Sequence, residues 1–292
     1  MKNPTDSVSE LVSRFLDSND FSPHTRRAFA HDIRSFVSWF EEANREPFTP
    51  RRVTTADVSA FKEFLWKQRG RSVSTVNRAL VSARRLFSYL LDEGLLAANP
   101  CKKVKELRRQ ELAPKGLEQS QVRKLLREVE LRGDIRANAL FHLMLYTGCR
   151  VGDLDLDMDA VTLSERSGTI VFRYGKGAKQ RAVPLPLPAR KALSEYLATR
   201  PAIATTKVFI GERGPMTDRG IRSLCSKYAA ICGFAIHPHL LRHTMAHRFL
   251  ASSGNDLVSL AQILGHESLN TTARYTRRSA SQLAKTSDGV TY

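Results

Sequence analysis

Through the first hundred positions apolar residues recur at intervals of three and four, and that period leaves room for little but helices. Phe29, Ile33, Phe36, Val37 and Phe40 share one face of a helix opened by Ser22 and Pro23, an N-cap followed by a proline at the first helical position. Thr54 starts another, with Asp57 three residues on. Val58, Phe61, Phe64 and Leu65 form its stripe and Gly70 ends it. A third opens at Ser74, turns Leu80, Ala83, Phe87, Leu90 and Leu91 inward, and closes at Gly94. Val8 to Leu16 reads as a shorter helix ahead of these. Four amphipathic helices with short connections make a small bundle. Arg26, Arg27, Arg34, Arg78, Arg84 and Arg85 fall on its outer faces, where a solvated surface is the ordinary expectation for any one arginine.

The pattern breaks between residues 98 and 118. Pro100, the basic cluster Lys102, Lys103, Lys105, Arg108 and Arg109, then Pro114 and Gly116 suggest a linker. Beyond it, helices are expected over Gln119–Leu131, Asp134–Tyr146, 187–199, 217–232, 239–253 and 256–264. Around residue 168 the period changes: in GTIVFRYGKGAKQRAVPL, β-branched and apolar runs flank Gly175-Lys176-Gly177, the signature of a hairpin with a glycine-rich turn. The expected fold class is mainly α with a small antiparallel β-sheet. It divides into an N-terminal helical bundle over 1–107, a basic linker over 108–117 and an α+β domain over 118–292.

Composition narrows the partner. Forty-six Lys and Arg against twenty-nine Asp and Glu give a net charge of +17 in 292 residues. Both parts of the chain share the excess, so the charge is not one tail on a neutral body, and a polyanion is the expected partner. A basic linker between two basic domains could close a clamp around a duplex. No apolar run approaches the length of a membrane span, and MKNPTDSVSE has no apolar signal core, so an intracellular, cytoplasmic location on the nucleoid is expected, with no membrane partner. Cys101, Cys149, Cys225 and Cys232 form no CxxC pair and are expected to be free thiols.

Four short pieces carry chemistry: Thr147-Gly148-Cys149-Arg150, Gly175-Lys176-Gly177, His239-Leu240-Leu241-Arg242-His243, and Leu264-Gly265-His266 followed by Tyr275. Singly, each has a plain explanation. Arg150 could bind the last carbonyls of a helix, Lys176 could be a solvated turn residue, and His266 could be a cation at a helix C-terminus. His239 and His243, four apart on a helix, raise a zinc pair, but Leu240 stands where a metalloprotease needs glutamate. Tyr275 alone reads as core or surface. Together they suit phosphoryl transfer. Two arginines can clamp the oxygens of one phosphate and favour the extra charge of a pentavalent phosphorus. A lysine can protonate a departing hydroxyl and histidines can manage protons. A tyrosyl ester stores the energy of the broken phosphodiester, so the strand can be rejoined without ATP, metal or other cofactor.

In this order the pieces resemble the catalytic core of the tyrosine recombinases, the phage-integrase and Xer-like family. TGCRVGDL is similar to its first-arginine motif, GKGAKQRAVPL to its hairpin-lysine motif, HLLRH to its H-x-L-R-H motif, and LGHESLNTTARYT to its ending. SPHTRRAFAHDIRSFVSWF resembles its SAM-like core-binding domain, so the likeness spans nearly the whole chain. The resemblance implies that Arg150 and Arg242 clamp the scissile phosphate and that Lys176 is the general acid toward the 5′-hydroxyl. It implies that His239 and His266 hydrogen-bond the phosphate and assist proton transfer, and that Tyr275 forms a 3′-phosphotyrosyl link. His243 is read as support. Asp153 stands where many relatives have glutamate, and is expected to buttress Arg150 or pack nearby. The resemblance further implies double-stranded DNA sites as partner, a clamp on the duplex, and a Holliday-junction intermediate. It implies four protomers on DNA, of this chain alone or with a related recombinase, with residues 276–292 as a segment for docking into a neighbour.

Two other functions fit parts of the sequence. Asp153, Asp155, Asp157 and Asp159 invite a metal-dependent nuclease or transposase, although alternation over so short a stretch is also a polar turn after a helix. A DNA-binding protein without catalysis would need only the basic helices.

Overall fold

The computed structural model describes residues 8–108, 115–173 and 180–276. Two compact units divide the chain, Met1–Glu111 and Leu112–Tyr292.

The first unit is the expected bundle: α1 (Val8–Asp17), α2 (Pro23–Asn44), α3 (Thr55–Glu63, continued by one wider turn over Phe64–Gln68) and α4 (Val73–Asp92). Local chemistry sets the starts. The Ser22 hydroxyl accepts the N–H of Thr25, and Thr54 and Asp57 close a reciprocal capping box. The fourth helix begins two residues earlier than expected, on Ser72 rather than Ser74, with the Ser72 hydroxyl accepting the N–H of Thr75. Two serines two apart are equivalent candidates from sequence alone. Phe36 is the hub of the core, meeting Phe61 edge-on at 5.0 Å and Phe87 at 6.0 Å. Removing each such ring from water contributes about 2 kcal/mol.

Several arginines expected on a solvated surface are bound instead. Arg78 holds the buried Asp32 through Nε at 2.9 Å and Nη2 at 2.8 Å, and Ser82 donates to the same carboxylate at 3.0 Å. Arg26 reaches the Leu16 carbonyl and Asp17, Arg84 reaches the Val104 carbonyl and Glu106, and Arg85 lies over the rings of Phe21 and Phe29. The segment from Leu95 to Leu107 has no helical period, yet it is not free linker. Cys101 and Val104 are buried in the bundle. The Asn77 amide donates to the Leu107 carbonyl at 2.9 Å and accepts the Leu107 N–H at 2.8 Å.

In the second unit α5 (Gln119–Leu131), α6 (Ile135–Thr147), α7 (Leu187–Thr199) and α8 (Asp218–Cys232) pack with a three-stranded antiparallel sheet. Its strands are β1 (Val161–Leu163), β2 (Gly168–Arg173) and β3 (Gln180–Pro184), in the order β1-β2-β3. The β2–β3 register pairs Ile170 with Val183 and Arg173 with Gln180. The expected hairpin is therefore present, while its turn, Lys176 included, lies outside the described residues, as do positions 277–292 of the proposed docking segment. A two-stranded ribbon of β4 (Ile210–Gly211) and β5 (Gly214–Pro215) was not foreseen. Helix α6 is apolar nearly all round and buries Leu140, Phe141, Leu143 and Met144, so it runs through the core. Against it lie α7 and α9 (Pro238–Ser252), followed by α10 (Leu257–Leu264) and the short α11 (Leu269–Ala273). A satellite cluster of Met245, Leu250, Leu260, Leu264 and Tyr275 ties these last elements together.

Candidate active site

Helix α6 ends on Gly148, whose φ of +60° only glycine adopts without strain. A Cβ there would stand 2.7 Å from Leu264 Cδ2 and 3.1 Å from Met245 Sδ. This close approach lets Arg242, buried on α9, reach across the helix end. Its Nη1 donates to the Gly148 carbonyl at 2.6 Å and its Nη2 to the Leu264 carbonyl at 2.9 Å. The carbonyl at the end of α6 is thus taken by Arg242. Burial, then the charge of Arg150, lowers the Arg242 pKa to about 10, which still leaves a full cation at neutral pH.

The second partner of Nη2 is Nε2 of His266, at 2.9 Å. A guanidinium has no acceptor, so Nε2 must accept. The ring proton therefore sits on Nδ1, 2.8 Å from the Thr272 hydroxyl, to which it donates. Burial and then Arg242 and Arg150 push the His266 pKa down to about 4. His266 is a neutral, oriented acceptor rather than a cation at the end of α10. Three of the five N–H bonds of Arg242 are committed to these partners, and the guanidinium also acts on the Tyr275 hydroxyl.

Tyr275, which follows α11, is 6% exposed. Burial raises its pKa, against the charges of Arg242, Arg274 and Arg150. Its hydroxyl lies 2.9 Å from Nδ1 of His243 on α9. The His247 ring meets the tyrosine ring edge-on, with centroids 5.5 Å apart. His239, on the same helix, stacks on His243 at 6.4 Å. It is lowered by burial and by the charges of Arg242, Arg222, His237 and Arg150. Arg150, Arg242, His239, His243, His266 and Tyr275 thus gather around one cationic centre. Arg150 and His266 also line an open cavity of about 1130 Å³ between β3 and the α10–α11 region.

Asp153 buttresses Arg150 through the main chain: its Oδ2 accepts the Arg150 N–H at 2.8 Å. The same oxygen accepts Nη2 of the buried Arg181 at 2.6 Å. Arg181, which also stacks over Phe172 at 4.5 Å, was not singled out from the sequence. The signal was present, because alternation along β3 puts Arg181 on the same inward face as Val183. The other aspartates of the run fan out to separate partners. Asp155 and Asp157 pair with Lys207, and Asp159 pairs bidentately with Arg173. Among the described residues no group of three or more His, Cys, Asp or Glu is arranged to hold a metal ion. The four cysteines are free and buried, and burial pushes the Cys149 thiol beside Arg150 up to about 12, so it is no nucleophile.

Residues 115–282 match the phage integrase family, and residues 9–95 match the phage integrase N-terminal SAM-like domain. The chain belongs to the phage integrase family. The tyrosine recombinase XerC of Thermodesulfovibrio yellowstonii is 34% identical, covering 94% of this chain and 93% of that protein. The tyrosine recombinase XerC of Syntrophus aciditrophicus is 32% identical, covering 95% of each. A crystal structure of a XerH site-specific recombinase bound to palindromic difH substrate, in a post-cleavage complex, shares the fold with a TM-score of 0.78. That match is at 21% identity and covers 97% of this chain and 84% of that one. Members of the phage integrase family are DNA strand-transferring enzymes, and site-specific recombination is the function that membership carries. Neither a metal-dependent nuclease nor a DNA-binding protein without catalysis is favoured. Among the described residues no helix is long and apolar enough to cross a membrane.

Proposed function

We propose that Tyr275 cleaves one strand of a duplex DNA site by attacking its phosphate, and that the bond is later passed to another strand through a Holliday junction. The observation that carries this reading is the burial of the Tyr275 hydroxyl beside Arg242, with Arg150 in the same field. The phenol oxygen forms a bond to phosphorus as the P–O5′ bond breaks, leaving a 3′-phosphotyrosyl link. Arg150 and Arg242 hold the non-bridging oxygens and stabilise the charge that builds up on them. His239, exposed next to Arg242, supplies a further hydrogen bond to the phosphate. His266 acts on the phosphate through Arg242, which it orients. Lys176, assigned from its motif, protonates the departing 5′-oxygen.

On this reading residues 1–107 form a core-binding domain, 108–117 a basic linker, and 118–292 the catalytic domain. The basic charge of both parts supports a grip on a duplex. Four protomers, of this chain or with a related recombinase, would join two sites at the nucleoid. The segment 276–292 would contact a neighbour. The test is to trap covalent protein–DNA complexes from the host genome, sequence the attached strands, and present the recovered site as a nicked suicide substrate. The wild-type chain should form an adduct in EDTA. Tyr275→Phe should bind the same duplex and form none, and an adduct that persisted in that variant would refute the assignment. Arg150→Ala and Arg242→Ala should lose far more cleavage than binding.

A further inference from the structure

We infer that His243 is the side chain that takes the phenolic proton from Tyr275 as the phosphotyrosyl bond forms, an assignment that rests on the strand-transfer function proposed above. The hydroxyl needs such an acceptor. Tyr275 is buried, and burial favours its neutral form, so the proton is still present when the oxygen must attack. Three other histidines lie nearby, and the geometry sets them aside. Both ring nitrogens of His266 are engaged, Nε2 by Arg242 and Nδ1 by Thr272. The contact of His247 with Tyr275 is between the two rings, nearly perpendicular with centroids 5.5 Å apart. The ring contact of His239 is with His243, at 6.4 Å between centroids. Only His243, among the described residues, places a ring nitrogen within 2.9 Å of Tyr275 Oη.

The direction of that hydrogen bond follows from the charges around it. The cation of Arg242 acts on the phenol oxygen, so the negative end of the hydroxyl dipole turns toward the guanidinium and its hydrogen turns away, toward His243 Nδ1. The imidazole is available to receive it. It is half-buried among Arg274, His239, His247 and Arg242, and that surrounding keeps it unprotonated at neutral pH. A weakly basic acceptor suits the step because the demand is transient: the phenol oxygen becomes strongly acidic only as it bonds to phosphorus. A bound phosphodiester brings negative charge into the same cluster and offsets the arginines, so His243 becomes a better base once DNA is in place. In the forward step Oη–P forms, P–O5′ breaks, the phenol proton passes to Nδ1, and the 5′-oxygen takes a proton from its own acid. In the rejoining step the imidazolium returns its proton to the departing phenol.

His243→Gln tests this, because glutamine keeps a hydrogen-bond acceptor of similar reach and cannot hold the proton. On the nicked duplex carrying the site recovered by genomic trapping, single-turnover adduct formation should fall by about 100-fold or more, with DNA affinity unchanged. Its rate should then climb with pH, roughly tenfold per unit, because hydroxide must replace the base. The wild-type rate should stay nearly level from pH 6 to 9. Replacing tyrosine by 3-fluorotyrosine, whose phenol is more acidic, should recover part of the loss in His243→Gln and change the wild type little. A packing defect would show no such recovery. A His243→Gln protein that cleaves at the wild-type rate with a level profile overturns the assignment of His243 and leaves Tyr275 as nucleophile. A wild-type protein that binds the site and never becomes attached to it overturns both.

Discussion

Asp153 and Arg181 meet through Oδ2 and Nη2 at 2.6 Å with both side chains 7% exposed, and that same Oδ2 accepts the backbone N–H of Arg150 at 2.8 Å. One carboxylate therefore joins a strand of the sheet to the loop that carries the first arginine of the site. Removing one partner of a buried pair strands the other charge, which costs about 3–5 kcal/mol. We expect Asp153→Asn to lower urea stability by about that amount and to slow cleavage. Asp153→Asn combined with Arg181→Met should regain much of the stability without regaining the rate. Additive single and double losses in a double-mutant cycle would show that the two side chains are not coupled.

Thr272 fixes the tautomer of His266, and so the face that the ring turns to Arg242. Thr272→Val keeps the shape and removes the oxygen that receives Nδ1–H. One neutral hydrogen bond is about 1 kcal/mol, so cleavage should fall about five- to tenfold with DNA binding intact. The ¹⁵N shifts of His266 in the wild type should show the proton on Nδ1. A ring protonated on Nε2 would contradict the assignment.

The histidines make stability depend on acidity. His243 and His266 have pKa values lowered to about 4 in the folded chain, against about 6.5 when unfolded. Between those limits the unfolded state binds more protons than the folded one, so stability rises with pH across the window and is lost as pH falls from 6.5 toward 4. The urea midpoint should decline through that interval, and His243→Gln should show a shallower decline. A midpoint constant from pH 6.5 to 4 would mean that neither ring is held neutral by the fold.

Gly148 and Gly233 separate two costs of a side chain. Both have positive φ, +60° and +75°, but an added methyl at Gly148 collides with Leu264 and Met245, whereas nothing lies within 4 Å at Gly233. Gly233→Ala should cost about 1 kcal/mol from backbone strain alone. Gly148→Ala should cost about 2–4 kcal/mol and also slow cleavage, because Arg242 is anchored on the Gly148 carbonyl. Equal thermal shifts for the two variants would remove the packing argument.

What was legible in the sequence is what is decided within one turn or one alternation. Ser22, Thr54 and Asp57 act on backbone groups three residues away, and the hairpin strands announce themselves by their period. The remainder depends on partners far along the chain. Nothing near Arg78 indicates that Asp32, on another helix, will be buried against it, and nothing near Leu107 reveals the Asn77 amide that binds its backbone. At the site, motif order assembled Arg150, Arg242, His266 and Tyr275. The contact of His243 with Tyr275 spans 32 residues, and the contact of Arg181 with Asp153 spans 28. Both depend on how α9 and β3 pack, which no local pattern encodes.

Cys101, Cys149, Cys225 and Cys232 are all enclosed within the two cores, and burial raises the pKa of each thiol. The native chain should thus be silent toward maleimides and mild oxidants. A single cysteine introduced on an outer helix face could carry a fluorophore or spin label with no background from the natural sulfurs, so the movements of each unit on DNA could be followed in the otherwise unaltered enzyme.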